Sequence, residues 1–213
     1  MSTAAVVVAG GSGARFGAAK QFARLGGMTV LDRAVGVACG ACDAVVVVVP
    51  NDVAWDPPAG VRTAPAGATR SDSVRAGLAL VGDEVDIVVV HDAARPLASR
   101  ALFATVIAAV RDGADGAIPA LPVVDTVKRV AGERVVGTVP RADLVVVQTP
   151  QAFRTSILRA AHTGNPIDTD DAALLEAHGG TVVVVPGETR NLKLTVAADL
   201  ELAQALLDTG AGP

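Results

Sequence analysis

VVVAGGSGARFGAAKQF, residues 6–22, begins as an apolar run and breaks into a loop holding Gly10, Gly11, Gly13 and Gly17. The run fits a buried strand. Glycine lets the backbone take positive φ and approach a ligand with no Cβ in the way. A loop leaving the carboxyl end of a strand turns its free N–H groups outward, a cradle for phosphate oxygens. Arg15 and Lys20 set two cations beside that cradle. Glycine loop plus cations reads as a triphosphate site.

Other loop chemistries fit less well. A nucleoside-triphosphatase P-loop needs G-x-x-x-x-G-K-[ST], and here Lys20 follows Ala19 and precedes Gln21. A dinucleotide loop matches loosely at Gly11-Ser12-Gly13, but Phe16 stands where the next glycine belongs. The ribose-binding acid should come roughly 20 residues on, and the candidate at the end of the second strand, Asp52, is too far along. A tight turn without a ligand would not require the paired cations.

The chain of 213 residues suits a single domain. Apolar residues make up 51%, yet the longest aliphatic runs, such as residues 44–49, are too short to cross a bilayer. No charged leader precedes an apolar segment, so a cytoplasmic protein with no membrane partner is expected. A net charge of −4 without a basic stripe argues against nucleic acid as a partner. The only lysines are Lys20, Lys128 and Lys193, which makes a lysine beside a glycine loop informative. Cys39 and Cys42 have C-x-x-C spacing but follow a helix-like segment, where the dipole would not activate a thiol. No second pair completes a zinc site.

Strands and helices alternate along the chain, the pattern of a mostly parallel sheet covered by helices. Strands are expected at residues 44–49, 61–64, 85–90, 116–121, 143–148 and 181–185. Helices are expected at 30–38, from Thr69 or Ser71 to about 81, from Ser99 to about 111, and at 155–161, 170–177 and 198–207. Residues 126–138 break the rhythm: two β-rich segments flank Gly132-Glu133, a hairpin rather than a crossover. An isolated hairpin is marginal in water, so this arm should pack on something, and a second copy of the chain is the natural candidate.

Three further stretches carry chemistry. HDAARP, residues 91–96, ends a strand where ligands bind in open α/β sheets. Asp92 there can hold a magnesium ion or a sugar hydroxyl, and Arg95 can brace the loop or meet a phosphate. The loop GATRSDSV, residues 67–74, offers hydroxyls suited to base or ribose contacts. In NLKLT, residues 191–195, alternation would place Asn191, Lys193 and Thr195 on one face of an extended segment.

Taken in order, AGGSGARFG, AKQF, GATRSDSV, HDAARP, VDTVKR, TVPR, QTPQAF, TDDAALLE and NLKLT resemble the 2-C-methyl-D-erythritol 4-phosphate cytidylyltransferase family over nearly the whole chain. The first motifs are shared with related sugar-phosphate nucleotidyltransferases; the later ones are more specific. The resemblance implies an α/β, Rossmann-like nucleotidyltransferase sheet with a protruding β-hairpin arm at about residues 123–142. It implies CTP held by Ala9, Gly10, Gly11, Ser12, Gly13, Gly67, Arg70 and Ser73. Asp92 and Ala93 would lie near the ribose, phosphates and a magnesium or other divalent ion, with Asp92 the metal ligand and Arg95 beside them. Arg15 and Lys20 match cations that stabilise the transition state. Thr126, Arg141 and Lys193 match residues that hold the polyol phosphate, with Thr126 and Arg141 serving the neighbouring subunit of a homodimer. Two departures stand out: the Arg15-to-Lys20 segment is shorter than is usual in the family, with Ala19 in place of a proline, and Ala66 replaces a glycine before Gly67.

The chemistry so implied runs on charge. An anionic phosphate oxygen of the acceptor attacks the α-phosphorus of CTP in line and pyrophosphate leaves, so no general base is required. Arg15, Lys20, Lys193, Arg141 and a metal would align and neutralise two repelling anions. Ribitol 5-phosphate as acceptor, or a nucleotide-binding module without catalysis, are the alternative readings.

Overall fold

Valine runs form the middle of this molecule, because β-branched side chains suit a pleat whose two faces are both covered. The computed structural model describes residues 1–11, 20–51, 53–168 and 170–209. In chain order, β1 (Thr3–Val8) is followed by a single 3₁₀ turn (Lys20–Phe22) and a small hairpin of β2 (Arg24–Leu25) and β3 (Met28–Thr29). Then come α1 (Val30–Cys39), β4 (Ala44–Val49), β5 (Arg62–Pro65), α2 (Arg70–Leu78), β6 (Ile87–Asp92) and α3 (Arg100–Arg111). The second half holds β7 (Gly116–Pro122), β8 (Val127–Ala131), β9 (Arg134–Val139), β10 (Val145–Val147) and β11 (Gln151–Arg154). It closes with α4 (Thr155–Ala161), α5 (Asp171–Ala177), β12 (Val182–Pro186) and α6 (Ala197–Asp208).

The sheet runs β5-β4-β1-β6-β11-β7, with β10 and β12 also paired to β7. Strands β5, β4, β1 and β6 are parallel neighbours. β11 lies antiparallel between β6 and β7. Alternation along each strand feeds two cores. Ala5, Val7, Val45, Val47 and Val89 face α1 and α3, meeting Leu31, Val35, Phe103 and Val106. Ala4, Val6, Val46, Val48 and Val90 face the other way, against Val74, Leu78, Leu158 and Leu175 from α2, α4 and α5.

Local capping sets where the helices start. Thr29 with Asp32, and Thr69 with Asp72, each form a reciprocal capping box, and the Ser99 hydroxyl accepts from the amide of Leu102. Thr69 is therefore the cap of α2, with Ser71 inside the helix, and α2 ends at Leu78 rather than near residue 81. That helix lies close on the sheet because Gly77 has no side chain: a Cβ there would sit 2.4 Å from Val6 Cγ1 and 3.1 Å from Val48 Cγ2. Gly77→Ala should cost about 1–3 kcal/mol through overpacking, read as a lower urea midpoint with an unchanged m-value. An unchanged midpoint would show that α2 slides outward freely.

The hairpin expected near residues 126–138 is β8 and β9, joined through Gly132 at φ 59° and kinked by a register shift between Arg129 and Val130. It forms a two-stranded sheet of its own. Val130 and Val135 stand about 60% exposed on it. Among the described residues, no helix is long and apolar enough to cross a membrane.

Candidate active site

β1 lies between β4 and β6, and the chain reaches those two neighbours by crossovers in opposite directions. That reversal of strand order opens a crevice at the carboxyl ends of β1 and β6. A cavity of about 380 Å³ occupies it. Ala9, Gly10 and Gly11 from the first loop, Gly67, Arg70 and Ser73 from the second, and Asp92 and Ala93 from the third line its wall, together with Lys20 and Lys193. Widely separated stretches of chain thus meet there. Ser12, Gly13 and Arg15 lie outside the described residues, as does Asp52.

Backbone hydrogen bonds tie the three loops to the ends of β4 and β1. The Ala9 amide donates to the Val48 carbonyl, Ala66 to Val49, and Ala93 to Val8. Gly10 is required by close approach: a Cβ on it would lie 2.6 Å from the Ala66 methyl and 3.3 Å from Ser73 Oγ. The Gly67 amide donates to Ser73 Oγ, whose hydroxyl donates to the Thr69 carbonyl. The α2 N-terminus with its oriented amides thus forms one side of the cavity.

Asp92 is the charge centre. Its Oδ2 lies 2.7 Å from Lys193 Nζ and its Oδ1 3.3 Å from Arg70 Nε. Burial pushes the carboxyl pKa up, but Arg70, then Lys193, and Arg95 more weakly, reverse this and hold it well below the usual carboxylate range. Arg70 is the counterpart: burial opposes its charge, and the carboxylates of Asp171 and Asp92 overcome burial and raise its pKa. Lys20, despite the shortened segment before it, reaches the cavity, where its Nζ donates to the Leu194 carbonyl at 2.7 Å.

Under the cavity floor lies a buried polar network that sequence patterns did not assign. His91 is fully buried, and desolvation above all pulls its pKa down to about 4, so the ring is neutral. A carbonyl only accepts, so Nε2 carries the proton toward the Arg95 carbonyl at 3.2 Å. Nδ1 must then accept from the Thr149 hydroxyl at 3.1 Å, and Thr149 Oγ1 in turn accepts the Asp92 amide at 2.9 Å. Thr149 of the QTPQ stretch therefore fixes the backbone of Asp92. Gln148 completes the tie, exchanging hydrogen bonds with Asn191, whose amide also donates to the Thr149 carbonyl.

Two sequence expectations change in this network. Residues 191–195 form no strand, and Asn191 is fully buried while Lys193 lines the cavity, so Asn191, Lys193 and Thr195 do not share a face. Asn191 anchors the segment and Lys193 projects from it. Arg95 is buried and absent from the cavity wall, its guanidinium donating to the carbonyls of Asn191 and Val147, so it braces the loop. Thr126 and Arg141 are exposed and also lie outside the cavity wall; Arg141 donates to the Val124 carbonyl at the base of the arm. Gln21, buried and lining the cavity, had no distinguishing signal beyond its place after Lys20. Burial raises the Cys42 thiol to about 12, which leaves the C-x-x-C pair chemically quiet.

A helix-covered α/β sheet whose switch-point crevice joins a glycine loop, a buried acid and two lysines places the chain among Rossmann-like nucleotidyltransferases. Comparison with known proteins narrows the class. The model for IspD, 2-C-methyl-D-erythritol 4-phosphate cytidylyltransferase, matches residues 3–209, and the chain belongs to that family. The 2-C-methyl-D-erythritol 4-phosphate cytidylyltransferase of Rhodococcus jostii (strain RHA1) is 45% identical, over 97% of this chain and 96% of its own. The bifunctional enzyme IspD/IspF of Clavibacter michiganensis is 47% identical over 97% of this chain, which spans 55% of that longer enzyme. The crystal structure of 2-C-methyl-D-erythritol 4-phosphate cytidylyltransferase from Thermus thermophilus superposes with a TM-score of 0.86 at 35% identity, covering 98% of this chain and 100% of that one.

Proposed function

We propose that this chain transfers CMP from CTP to 2-C-methyl-D-erythritol 4-phosphate and releases pyrophosphate, a step in non-mevalonate isoprenoid precursor synthesis. The observation that carries this reading is the meeting in one crevice of Gly10, Gly11 and the α2 N-terminus with Lys20, Lys193 and Asp92. The first set offers oriented amides to a triphosphate; the second places cations on flexible stems where two anions must come together.

The acceptor's phosphate oxygen forms a bond to the α-phosphorus, and the bond from that phosphorus to the bridging oxygen of the β-phosphate breaks. The electron pair leaves with pyrophosphate. The nucleophile arrives deprotonated, so no base is needed, and the buried His91, whose ring is tied to the Arg95 carbonyl and the Thr149 hydroxyl, serves structure. Lys20 and Lys193 align the two anions and neutralise charge gathering at phosphorus.

A divalent ion fits this site on one condition. Among the described residues no cluster of three or more His, Cys, Asp or Glu could hold a metal unaided. Asp92 is nevertheless an ionised carboxylate on the cavity wall, and magnesium characteristically takes one or two carboxylates with the remaining oxygens from nucleotide phosphates and water. When bound, the ion would supply charge neutralisation at the triphosphate. Asp92 would then share itself between the ion and the Lys193 ammonium that pairs with it in this structure.

The arm supports a homodimer. Among the described residues its two strands pair only with each other, and Val130, Val135 and Val136 are exposed on it. A second chain covering these residues would bring Thr126 and Arg141 to the partner's cavity, which they do not line in their own.

The test of the activity is an assay of pyrophosphate release by purified protein with CTP and magnesium, offered methylerythritol phosphate or ribitol 5-phosphate. Release should depend on methylerythritol phosphate and on the divalent ion. Equal rates with ribitol 5-phosphate would reassign the acceptor; no release with either would leave a nucleotide-binding module.

A further inference from the structure

Behind the cavity wall a file of charged side chains runs from α2 through α5 to α4. Arg70, the first residue of α2, sits between two carboxylates: Nε lies 3.3 Å from Asp92 Oδ1, and Nη1 lies 2.7 Å from Asp171 Oδ2. Nη2 is shielded from solvent and finds no acceptor among the described residues. Asp171, the first residue of α5, is fully buried. Its second oxygen, Oδ1, receives a hydrogen bond from His162 Nε2 at 3.0 Å, and His162 is buried at the end of α4. A carboxylate only accepts, so this ring nitrogen carries the proton. Arg75 Nη1 lies 3.5 Å from the other ring nitrogen and donates to the Pro166 carbonyl at 2.8 Å.

The arrangement costs more than a helix anchor needs to. Burying a carboxylate and a guanidinium forfeits their hydration, and such a pair is often replaceable by apolar groups without loss of stability. Here the carboxylates of Asp92 and Asp171 grip a guanidinium that borders the cavity, at two of its three nitrogens. Rotation of the guanidinium plane is thereby fixed beside Asp92.

We propose that Asp171, backed by His162, is a positioning residue for CTP: it holds the Arg70 guanidinium against Asp92 at the cavity wall and so fixes both side chains where the nucleotide binds. The inference rests on the cytidylyltransferase reading and gives one stretch of its sequence signature, TDDAALLE, a role in nucleotide affinity.

Direct measurement of CTP binding by calorimetry, alongside steady-state kinetics and thermal unfolding, tests it on wild type, Asp171→Asn, His162→Leu, Arg70→Lys and the Arg70→Lys/Asp171→Asn double variant. Asp171→Asn should raise the Kd and KM for CTP by about tenfold or more, the size of one charge-assisted hydrogen bond. The KM for methylerythritol phosphate should stay within about twofold, because the acceptor is held by other groups. His162→Leu should weaken CTP binding in the same direction by a smaller factor. The double variant should bind CTP about as weakly as Arg70→Lys alone, since both changes break one unit. A purely structural ion pair would lower the unfolding temperature and leave CTP affinity alone. CTP affinity within about twofold of wild type in Asp171→Asn overturns the proposal, and if that variant does not fold, the same result in His162→Leu does so. Wild-type protein that binds no CTP would overturn both this inference and the activity it rests on, whereas an active wild type with CTP-indifferent variants defeats the inference alone.

Discussion

Lys20→Ala should lower kcat by on the order of 100-fold or more, the loss seen when one preorganised charge stabiliser is removed from a transition state, while the fold survives. The side chain borders the cavity and its ammonium group donates to the Leu194 carbonyl. Losing a hydrogen bond of this kind costs stability about 1 kcal/mol, or a few degrees of Tm in a domain of this size. The two effects are therefore separable. Lys20 opens the 3₁₀ turn Lys20–Phe22, lines the crevice and reaches the carbonyl of Leu194, the neighbour of Lys193. Steady-state kinetics with thermal unfolding on the same preparation check this. Turnover near wild type would assign the charge to another cation, and a collapse of Tm would assign Lys20 to the fold.

Lys20 also marks what the sequence made legible. The lysine, the glycines and the acid at the end of β6 were readable because phosphate chemistry restricts residue type, and because each lies where an apolar run breaks. Regular elements were readable for a similar reason: buried parallel strands are valine runs here, and α1, α2 and α3 begin at Thr or Ser caps. β11 was not readable. Its four residues, Gln151–Arg154, follow a proline and run directly into α4, so no turn residue separates strand from helix and four residues are too few for a period to show. Yet its antiparallel seat between β6 and β7 makes it part of the sheet's centre.

The supporting residues were hidden for a different reason. Asp171 meets Arg70 across 101 positions, Thr149 meets His91 across 58, and Asn191 meets Thr149 across 42. No local period encodes such contacts. The NLKLT alternation misled because it treated as a strand a segment whose backbone follows buried partners: Asn191 turns inward to Gln148 and Thr149, and only then does Lys193 project. Arg95 shows the same ambiguity from the other side, since an arginine suited to a phosphate is equally suited to two backbone carbonyls.

Mixing two inactive chains should restore activity if the arm reaches across a dimer. Arg141 and Thr126 stand exposed near the hairpin, outside the cavity of their own chain, and Val130, Val135 and Val136 of the hairpin stand exposed in the single chain. Consider a heterodimer of one Arg141→Ala chain and one Lys20→Ala chain. If Arg141 serves the neighbouring site, the cavity of the Arg141→Ala chain keeps its own Lys20 and receives an intact Arg141 from its partner. The other cavity lacks both cations. One working site of two gives about half of wild-type activity per dimer, against losses on the order of 100-fold in either mutant homodimer. If Arg141 instead serves its own chain, each cavity of the heterodimer carries one lesion and activity stays at the mutant level. Differently tagged chains, co-expressed and purified through both tags, isolate the heterodimer, and light scattering fixes its mass. A monomeric protein, or a heterodimer no more active than its parents, would sink the shared site without touching the cytidylyltransferase assignment, because Lys20, Lys193 and Asp92 meet within one chain.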